Sequence, residues 1–262
     1  MAPLFFHLPM PTDRSTLLAA FDAQLQPERF KDYGPNGLQV EGRREIRRLV
    51  SGVTASRALI EAAIDAGADA LFVHHGLFWR GQDGTVTGWM KERLKLLLAH
   101  DINLLAYHLP LDAHASLGNN AQLGERLGLV ATGRFGEQDI GFIGQPAIDG
   151  ELADAEALGE RLENVLNRPV TQVGQAQSAI KTIAWCSGGA QGYFEAAMAA
   201  GAQAFITGEI SEPQVHLARE CGVVFYACGH HATERYGAPA MAAHVAAELG
   251  IAHQFIEIDN PA

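Results

Sequence analysis

Short apolar runs alternate along the chain with segments whose apolar residues recur at helical spacing. The apolar runs predict strands at 38–40, 46–53, 70–73, 102–107 and 223–227. The helical spacing predicts helices at 15–25, where Ser15 is the expected N-cap, and at 58–66, 90–99, 119–128 and 238–249. This alternation of helices and short strands is typical of layered α/β folds, and that is the class we predict.

The order of these elements repeats in the second half of the chain. Residues 61–68 (EAAIDAGA) match residues 195–202 (EAAMAAGA), 134 positions later, and the apolar runs 70–73 and 204–207 keep that spacing. Further on the spacing is 122, because the first copy carries extra residues around Trp79 to Trp89. We therefore predict a duplicated α/β/α arrangement, with a first repeat at 1–130 and a second at 131–262.

Metal-binding residue types follow three of the predicted strands. His74 and His75 follow 70–73, and His108 follows 102–107. His230 follows 223–227, and if a helix has begun there, Glu234 lies on the same face, one turn later. The carboxyl ends of strands in open α/β sheets are where ligands bind. The pattern therefore indicates that these side chains serve one site.

Candidate metal-binding residues also occupy equivalent positions in the two copies. His230 lies 122 positions after His108, and Glu234 lies 122 positions after Asp112, which is the spacing between the copies in this part of the chain. His108 precedes Leu-Pro and cannot share a helix with Asp112, so we expect it to orient a ligand, and His231 faces away from His230 on a helix. Imidazoles mixed with carboxylates favour Zn, Fe, Mn, Co or Ni over Ca or Mg.

Composition narrows the possible partners and location. The 262 residues carry a formal net charge of −11, which argues against a nucleic-acid or anionic-membrane binder. Three scattered cysteines fit a reducing compartment. The chain has no apolar run near the ~20 residues that a membrane span needs, so we expect a cytoplasmic protein.

Six short motifs occur in order along nearly the whole chain. They are Asn36-Gly37-Leu38-Gln39-Val40, His74-His75-Gly76-Leu77-Phe78-Trp79, Tyr107-His108-Leu109-Pro110-Leu111-Asp112-Ala113-His114, Gly118-Asn119-Asn120, Thr207-Gly208-Glu209 and Gly229-His230-His231-Ala232-Thr233-Glu234. Together they resemble the GTP cyclohydrolase 1 type 2 homolog family, also called the NGG-interacting-factor-three-like family or domain of unknown function 34.

The resemblance implies intertwined α/β halves, a homohexameric ring and a dinuclear metal site in the cleft. Carried over to this sequence, His74 and Asp112 hold one ion, His75 and His230 hold the other, and Glu234 bridges the two. The family name implies that metal-bound hydroxide opens the imidazole ring of GTP or attacks a related electrophile.

Two classes of function remain open from the sequence. In the first, the chain is a metal-dependent hydrolase acting on a nucleotide-like small molecule, with Glu234, His108, Glu209 and His231 as candidate catalytic groups. Glu209 lies 134 positions after His75, which suggests the same cleft, although a structural acid at a helix start is the interpretation that we favour for it. In the second, the chain is a non-catalytic hexameric scaffold that stores metal or regulates partners.

Overall fold

The structure is a computed structural model that describes residues 10–147, 154–175 and 179–262. The helices of these residues are α1 (Arg14–Leu25), α2 (Arg57–Asp65), α3 (Gly88–Ala99), α4 (Leu109–Ala113), α5 (Asn119–Arg126), α6 (Ala155–Leu166), α7 (Phe194–Ala199), α8 (Glu212–Cys221), α9 (His230–Glu234) and α10 (Gly237–Leu249). The strands are β1 (Thr12–Asp13), β2 (Gly37–Val40), β3 (Glu45–Ile46), β4 (Arg48–Thr54), β5 (Ala70–His75), β6 (Asn103–Ala106), β7 (Leu129–Phe135), β8 (Gly141–Pro146), β9 (Thr171–Val173), β10 (Ile183–Trp185), β11 (Ala204–Thr207), β12 (Val224–Ala227) and β13 (Ala252–Phe255). The predicted α/β class is confirmed.

The described residues form two compact units. Unit 1 contains the described residues up to His108 together with Ala238–Ile258, and unit 2 contains Leu109–Gly237 and Asp259–Ala262. These units differ from the repeats predicted at 1–130 and 131–262, because 109–130 belongs to unit 2 and 238–258 to unit 1. The repeat boundary concerns ancestry by duplication, and it stays a prediction.

Unit 1 is built on a five-stranded sheet in the order β13-β4-β5-β6-β2, parallel except for β2. Leu71, Val73 and Leu104 on one face pack with apolar residues of α2 and α3. On the opposite face of β5, the ring of Phe72 stacks on the ring of Phe21 in α1, with ring centroids 4.3 Å apart. Burial of these apolar runs holds β5 in the middle of the sheet, and its last two residues are His74 and His75.

Unit 2 is built on a six-stranded sheet in the order β7-β8-β10-β11-β12-β9. Strands β10, β11 and β12 are parallel, and β8 and β9 run antiparallel on either side of them. Trp185, Ile206 and Tyr226 pack with Leu158 and Leu162 of α6 in one core cluster. The central strand β11 ends at Thr207, just before Glu209, and β12 ends three residues before His230.

Most predicted bounds differ from the observed ones by one or two residues, and two of the differences have a clear physical reason. The strand predicted at 46–53 is divided into β3 and β4, because the backbone N–H groups of Arg47 and Arg48 both donate to the Asp69 carboxylate, at 2.8 and 3.0 Å. Helix α1 begins one residue earlier than predicted, and its N-cap is Asp13, which accepts from the N–H of Ser15.

None of the helices in the described ranges has the length and apolar character required to span a bilayer.

Candidate metal centre

Unit 1 brings three imidazoles together. His74 and His75 end β5, and His108 follows β6 after one intervening residue, so the parallel pairing of β5 and β6 places them at the same sheet edge. One ring nitrogen from each histidine lies within 4.8 Å of the others. His74 is fully buried, and its ring centroid is 4.5 Å from that of His75 and 5.0 Å from that of His108. This spacing fits a shared cation.

The Nδ1 atom of each of these imidazoles has an oxygen partner. His74 Nδ1 lies 3.2 Å from the carbonyl oxygen of Tyr107, and His75 Nδ1 lies 3.1 Å from Oγ1 of Thr54. His108 Nδ1 lies 2.7 Å from Oδ1 of Asp32. A carbonyl or carboxylate can only accept, so the neutral rings of His74 and His108 carry their proton on Nδ1 and their lone pair on Nε2. Metal-binding histidines are commonly held in this way.

Asp32 is the buried acid behind His108. Only 3% of its side chain is exposed. Burial raises the pKa of the Asp32 carboxyl, but hydrogen bonds with His108, Asn36 and the N–H of Tyr33, together with the charge of His108, outweigh it and hold the pKa below its usual range. The indole of Trp79 packs edge-on against the His108 ring, with centroids 5.1 Å apart.

Unit 2 holds His230 between two carboxylates. His230 Nδ1 lies 2.6 Å from Oε1 of Glu209, and its Nε2 lies 3.1 Å from Oε2 of Glu234. Helix α9 begins at His230, so the two α9 residues share one face, as predicted. The hydrogen bond with Glu234, reinforced by Glu209, raises the pKa of His230 to about 9 despite partial burial.

Asp112 lies beside Glu234 in unit 2. A carboxylate oxygen of each residue lies within 4.8 Å of the other, and both side chains are buried. Asn119 Nδ2 and Ser187 Oγ donate to the same oxygen of Asp112, Oδ1, at 2.9 and 3.3 Å. Two buried carboxylates this close repel each other unless protons or a cation intervene, so their proximity also fits a cation site.

The loop after β10 leaves room for these groups. Gly188 has a φ of +66°, and a Cβ there would overlap Oε1 of Glu234 and lie 3.1 Å from Nε2 of His230. Burial, with the nearby carboxylates of Asp112 and Glu234, raises the pKa of the Cys186 thiol far above its usual range, so the thiol stays protonated and unreactive. The backbone at Gly188 therefore approaches the Glu234 carboxylate closely, and the nearby Cys186 thiol does not act as a nucleophile.

The predicted residues separate into three groups. The first group can hold a metal ion, because its members belong to clusters of His, Asp and Glu side chains: His74, His75, His108, Asp112, His230 and Glu234. For His108 the sequence predicts only an orienting role. Glu209 lies three residues before α8 and contacts His230, so it is not an acid of that helix. His231 is buried on α9 and, among the described residues, lies outside those groups.

The sequence missed the residues that hold the donors. Four polar residues hydrogen bond to histidines or to Asp112, and the sequence does not mark them as part of the site. They are Asp32, Thr54, Asn119 and Ser187. Asp32 belongs to a run of turn-forming residues and Asn119 to one of the quoted motifs, and these were the available signals.

Comparison with known proteins gives the family. The model of the Duf34/NIF3 (NGG1p interacting factor 3) family matches residues 12–261. The chain belongs to the DUF34/NIF3 family. Curated relatives agree: it is similar to GTP cyclohydrolase 1 type 2 homologs of Neisseria meningitidis serogroup A (50% identity, 95% of this chain and 99% of the relative) and Pseudomonas aeruginosa (49%, 95% and 98%). The resemblance seen in the sequence motifs is thereby confirmed.

Two solved structures share the fold of this chain. This chain is similar to protein ybgI, with 42% identity, a TM-score of 0.90 and coverage of 96% of this chain and 100% of that one. It is also similar to TTHA1606 from Thermus thermophilus, with 31% identity, a TM-score of 0.83 and coverage of 96% and 100%. The α/β arrangement described above is therefore shared with both solved structures.

Proposed function

We propose that this chain is a metal-dependent hydrolase in which His74, His75, Asp112, His230 and Glu234 bind two divalent ions. One observation carries the proposal: four histidines have Nδ1 within 3.2 Å of an oxygen partner, and for three of them that partner is a carbonyl or a carboxylate. They are His74, His75, His108 and His230. Imidazoles held through Nδ1 offer Nε2 to a cation.

The donor chemistry fits transition-type ions. Neutral imidazoles and carboxylates suit Zn, Fe, Mn, Co or Ni. Such ions, when bound in pairs, activate water and stabilise negative charge on a reacting oxygen. We propose that His74 and Asp112 serve one ion, that His75 and His230 serve the other, and that Glu234 serves both.

The protein groups beside these ligands have separate roles in the proposal. Asn119 and Ser187 hold Oδ1 of Asp112 and so orient the carboxylate. Glu209 accepts a hydrogen bond from His230 and, being half-exposed, can pass a proton between that ring and solvent. His108 is held by Asp32 through Nδ1, and one of its ring nitrogens lies within 4.8 Å of a ring nitrogen of His74 and of His75.

The substrate class is proposed from the family. Curated relatives carry the name GTP cyclohydrolase 1 type 2 homolog. We propose an electrophilic heterocycle of the nucleotide type, with GTP as the first compound to test. We also propose that the chain works as a homohexamer, on the strength of the family resemblance alone.

One observation favours a second candidate, a non-catalytic metal-binding scaffold that stores metal or regulates partners. In the described part of unit 1, the cavity against His74 and His108 has a volume of about 10 Å³. A cavity of that size holds a single water molecule and no substrate. The space beside these two rings is therefore too small for a substrate, and a storage or regulatory role needs no such space.

A metal-reconstituted activity screen separates the two candidates. The protein is stripped, reloaded with each of the five metals and assayed on nucleotides, cyclic amides and phosphoesters. Glu234→Gln is the blank, and Glu212→Gln, an exposed acid of α8, is the matched control. Turnover that is lost in Glu234→Gln and kept in Glu212→Gln supports a hydrolase and identifies the substrate class. Equal background in all three proteins across every compound supports the scaffold.

A further inference from the structure

The loop before β2 contains a carboxylate that contacts the imidazole cluster of unit 1. Asp32 Oδ1 lies 2.7 Å from Nδ1 of His108, and its Oδ2 accepts a hydrogen bond from Nδ2 of Asn36 at 2.9 Å. The N–H of Tyr33 donates to Oδ1 at 2.6 Å. The Asp32 carboxylate is therefore held by its own loop, and it reaches His108 across 76 residues of sequence.

The same loop also holds the backbone of His108. The N–H of His108 donates to Oδ1 of Asn36 at 2.8 Å. Asp32 thus contacts the ring while Asn36 contacts the main chain, and the two side chains are joined to each other. This arrangement sets both the position and the rotation of the imidazole.

Residues of the segment around Trp79 to Trp89 hydrogen bond to the loop that contains Asp32. The Arg80 guanidinium donates to the carbonyl oxygen of Asp32 at 2.6 Å, and the N–H of Arg80 donates to the carbonyl oxygen of Tyr33, also at 2.6 Å. The Trp79 indole packs edge-on against the His108 ring. The extra residues of the first copy therefore support the Asp32 loop and the ring that it holds.

A carboxylate on Nδ1 determines which nitrogen of His108 has a lone pair. Asp32 can only accept, so the neutral ring keeps its proton on Nδ1 and leaves Nε2 as the donor atom. The ring lies beside His74 and His75, which offer nitrogens within 4.8 Å. A histidine with the opposite tautomer would present an N–H to a cation and would repel it.

We infer that Asp32 is a positioning residue of the metal centre, which holds His108 in the tautomer and orientation that make it a third imidazole ligand beside His74 and His75. The inference rests on the proposed metal-binding function, and it adds a ligand and its support to that function. Removing such a supporting partner typically lowers metal affinity by about 10- to 100-fold.

The test compares Co²⁺ affinity, read from visible absorption, in the metal-stripped full chain and in its variants. Asp32→Ala removes the acceptor, and Asp32→Asn keeps an amide oxygen that can still accept from Nδ1–H. We expect a loss of about 10- to 100-fold for Asp32→Ala, a smaller loss for Asp32→Asn, and a weaker Co²⁺ absorption band in the alanine variant because one nitrogen ligand is lost.

Asp69→Ala is the matched control. Asp69 is also a mostly buried carboxylate of unit 1 with three hydrogen bonds, but its partners are Arg43 and the N–H groups of Arg47 and Arg48. We expect the control to lose stability and to keep its Co²⁺ affinity within twofold of wild type. Equal losses of affinity in the Asp32→Ala and Asp69→Ala proteins would overturn the inference, because they would reflect folding alone.

A second measurement reads the tautomer without metal. Nitrogen-15 NMR of histidine-labelled, metal-free protein, assigned with His108→Gln, should place the His108 proton on Nδ1 in wild type and redistribute it in Asp32→Ala. A wild-type ring protonated on Nε2 alone would refute the inference. Wild-type protein that takes up no Co²⁺ would refute the proposed function and this inference together, whereas equal uptake by wild type and Asp32→Ala would refute the inference alone.

Discussion

The pKa of His230 makes the stability of the metal-free protein depend on pH. Glu234 and Glu209 raise that pKa from 6.5 to about 9. The pKa is raised on folding, so the stabilisation is present in full below about pH 6.5 and is lost as the pH rises through about 9. This rise in pKa corresponds to about 3 kcal/mol at most. Because Glu209 is half-exposed and screened by water, we expect about 1–2 kcal/mol.

Urea unfolding between pH 6 and pH 9.5, with chelator present, measures this effect. His230→Gln removes the titrating ring, so the free energy of unfolding of wild type should fall by about 1–2 kcal/mol more than that of the variant over this range. His216→Gln is the control, because His216 pairs with Glu212 on the exposed surface of α8, and its curve should run parallel to wild type. Parallel curves for wild type and His230→Gln would refute the reasoning.

Three further predictions concern the site and the assembly. Gly188→Ala should lose at least one bound ion in metal analysis, because its Cβ would overlap the Glu234 carboxylate, whereas Gly189→Ala places its Cβ 3.5 Å from Glu209 and should keep its metal. Asn119→Ala should lower the free energy of unfolding by about 1–3 kcal/mol, measured by urea titration, because it leaves the buried N–H of Gly237 and the Asp112 carboxylate each short of a hydrogen bond; an unchanged midpoint would contradict this. Light scattering at micromolar concentration should give the mass of a hexamer, and a stable 28.1 kDa species would contradict the proposed assembly.

The sequence predicted donors that lie in local motifs. His74 and His75 end an apolar run, and a run of that kind becomes a buried strand wherever it packs, so the position of the pair follows from local pattern. His230 and Glu234 are separated by one helical turn, and their contact follows from helix geometry. These relations need no knowledge of the rest of the chain.

The sequence could not predict the partners of those donors. Thr54 lies 21 positions before His75 and Asp32 lies 76 before His108, and only the pairing of β4 with β5 and the path of the loop before β2 bring them together. Asp32 also lies in a run of turn-forming residues, where aspartate is common, so the sequence gives no reason to assign it a second role at the site. The split of the predicted strand 46–53 has the same origin, since Asp69 binds its backbone from a distant position.

Metal content of the purified chain tests the central claim most directly. Elemental analysis after stripping and reconstitution should give about two ions per chain in wild type. Glu234→Gln should reduce this number more than any other single ligand substitution, because Glu234 is proposed to serve both ions, and Glu212→Gln should leave it unchanged. Far less than one ion per chain in reconstituted wild-type protein would contradict the account.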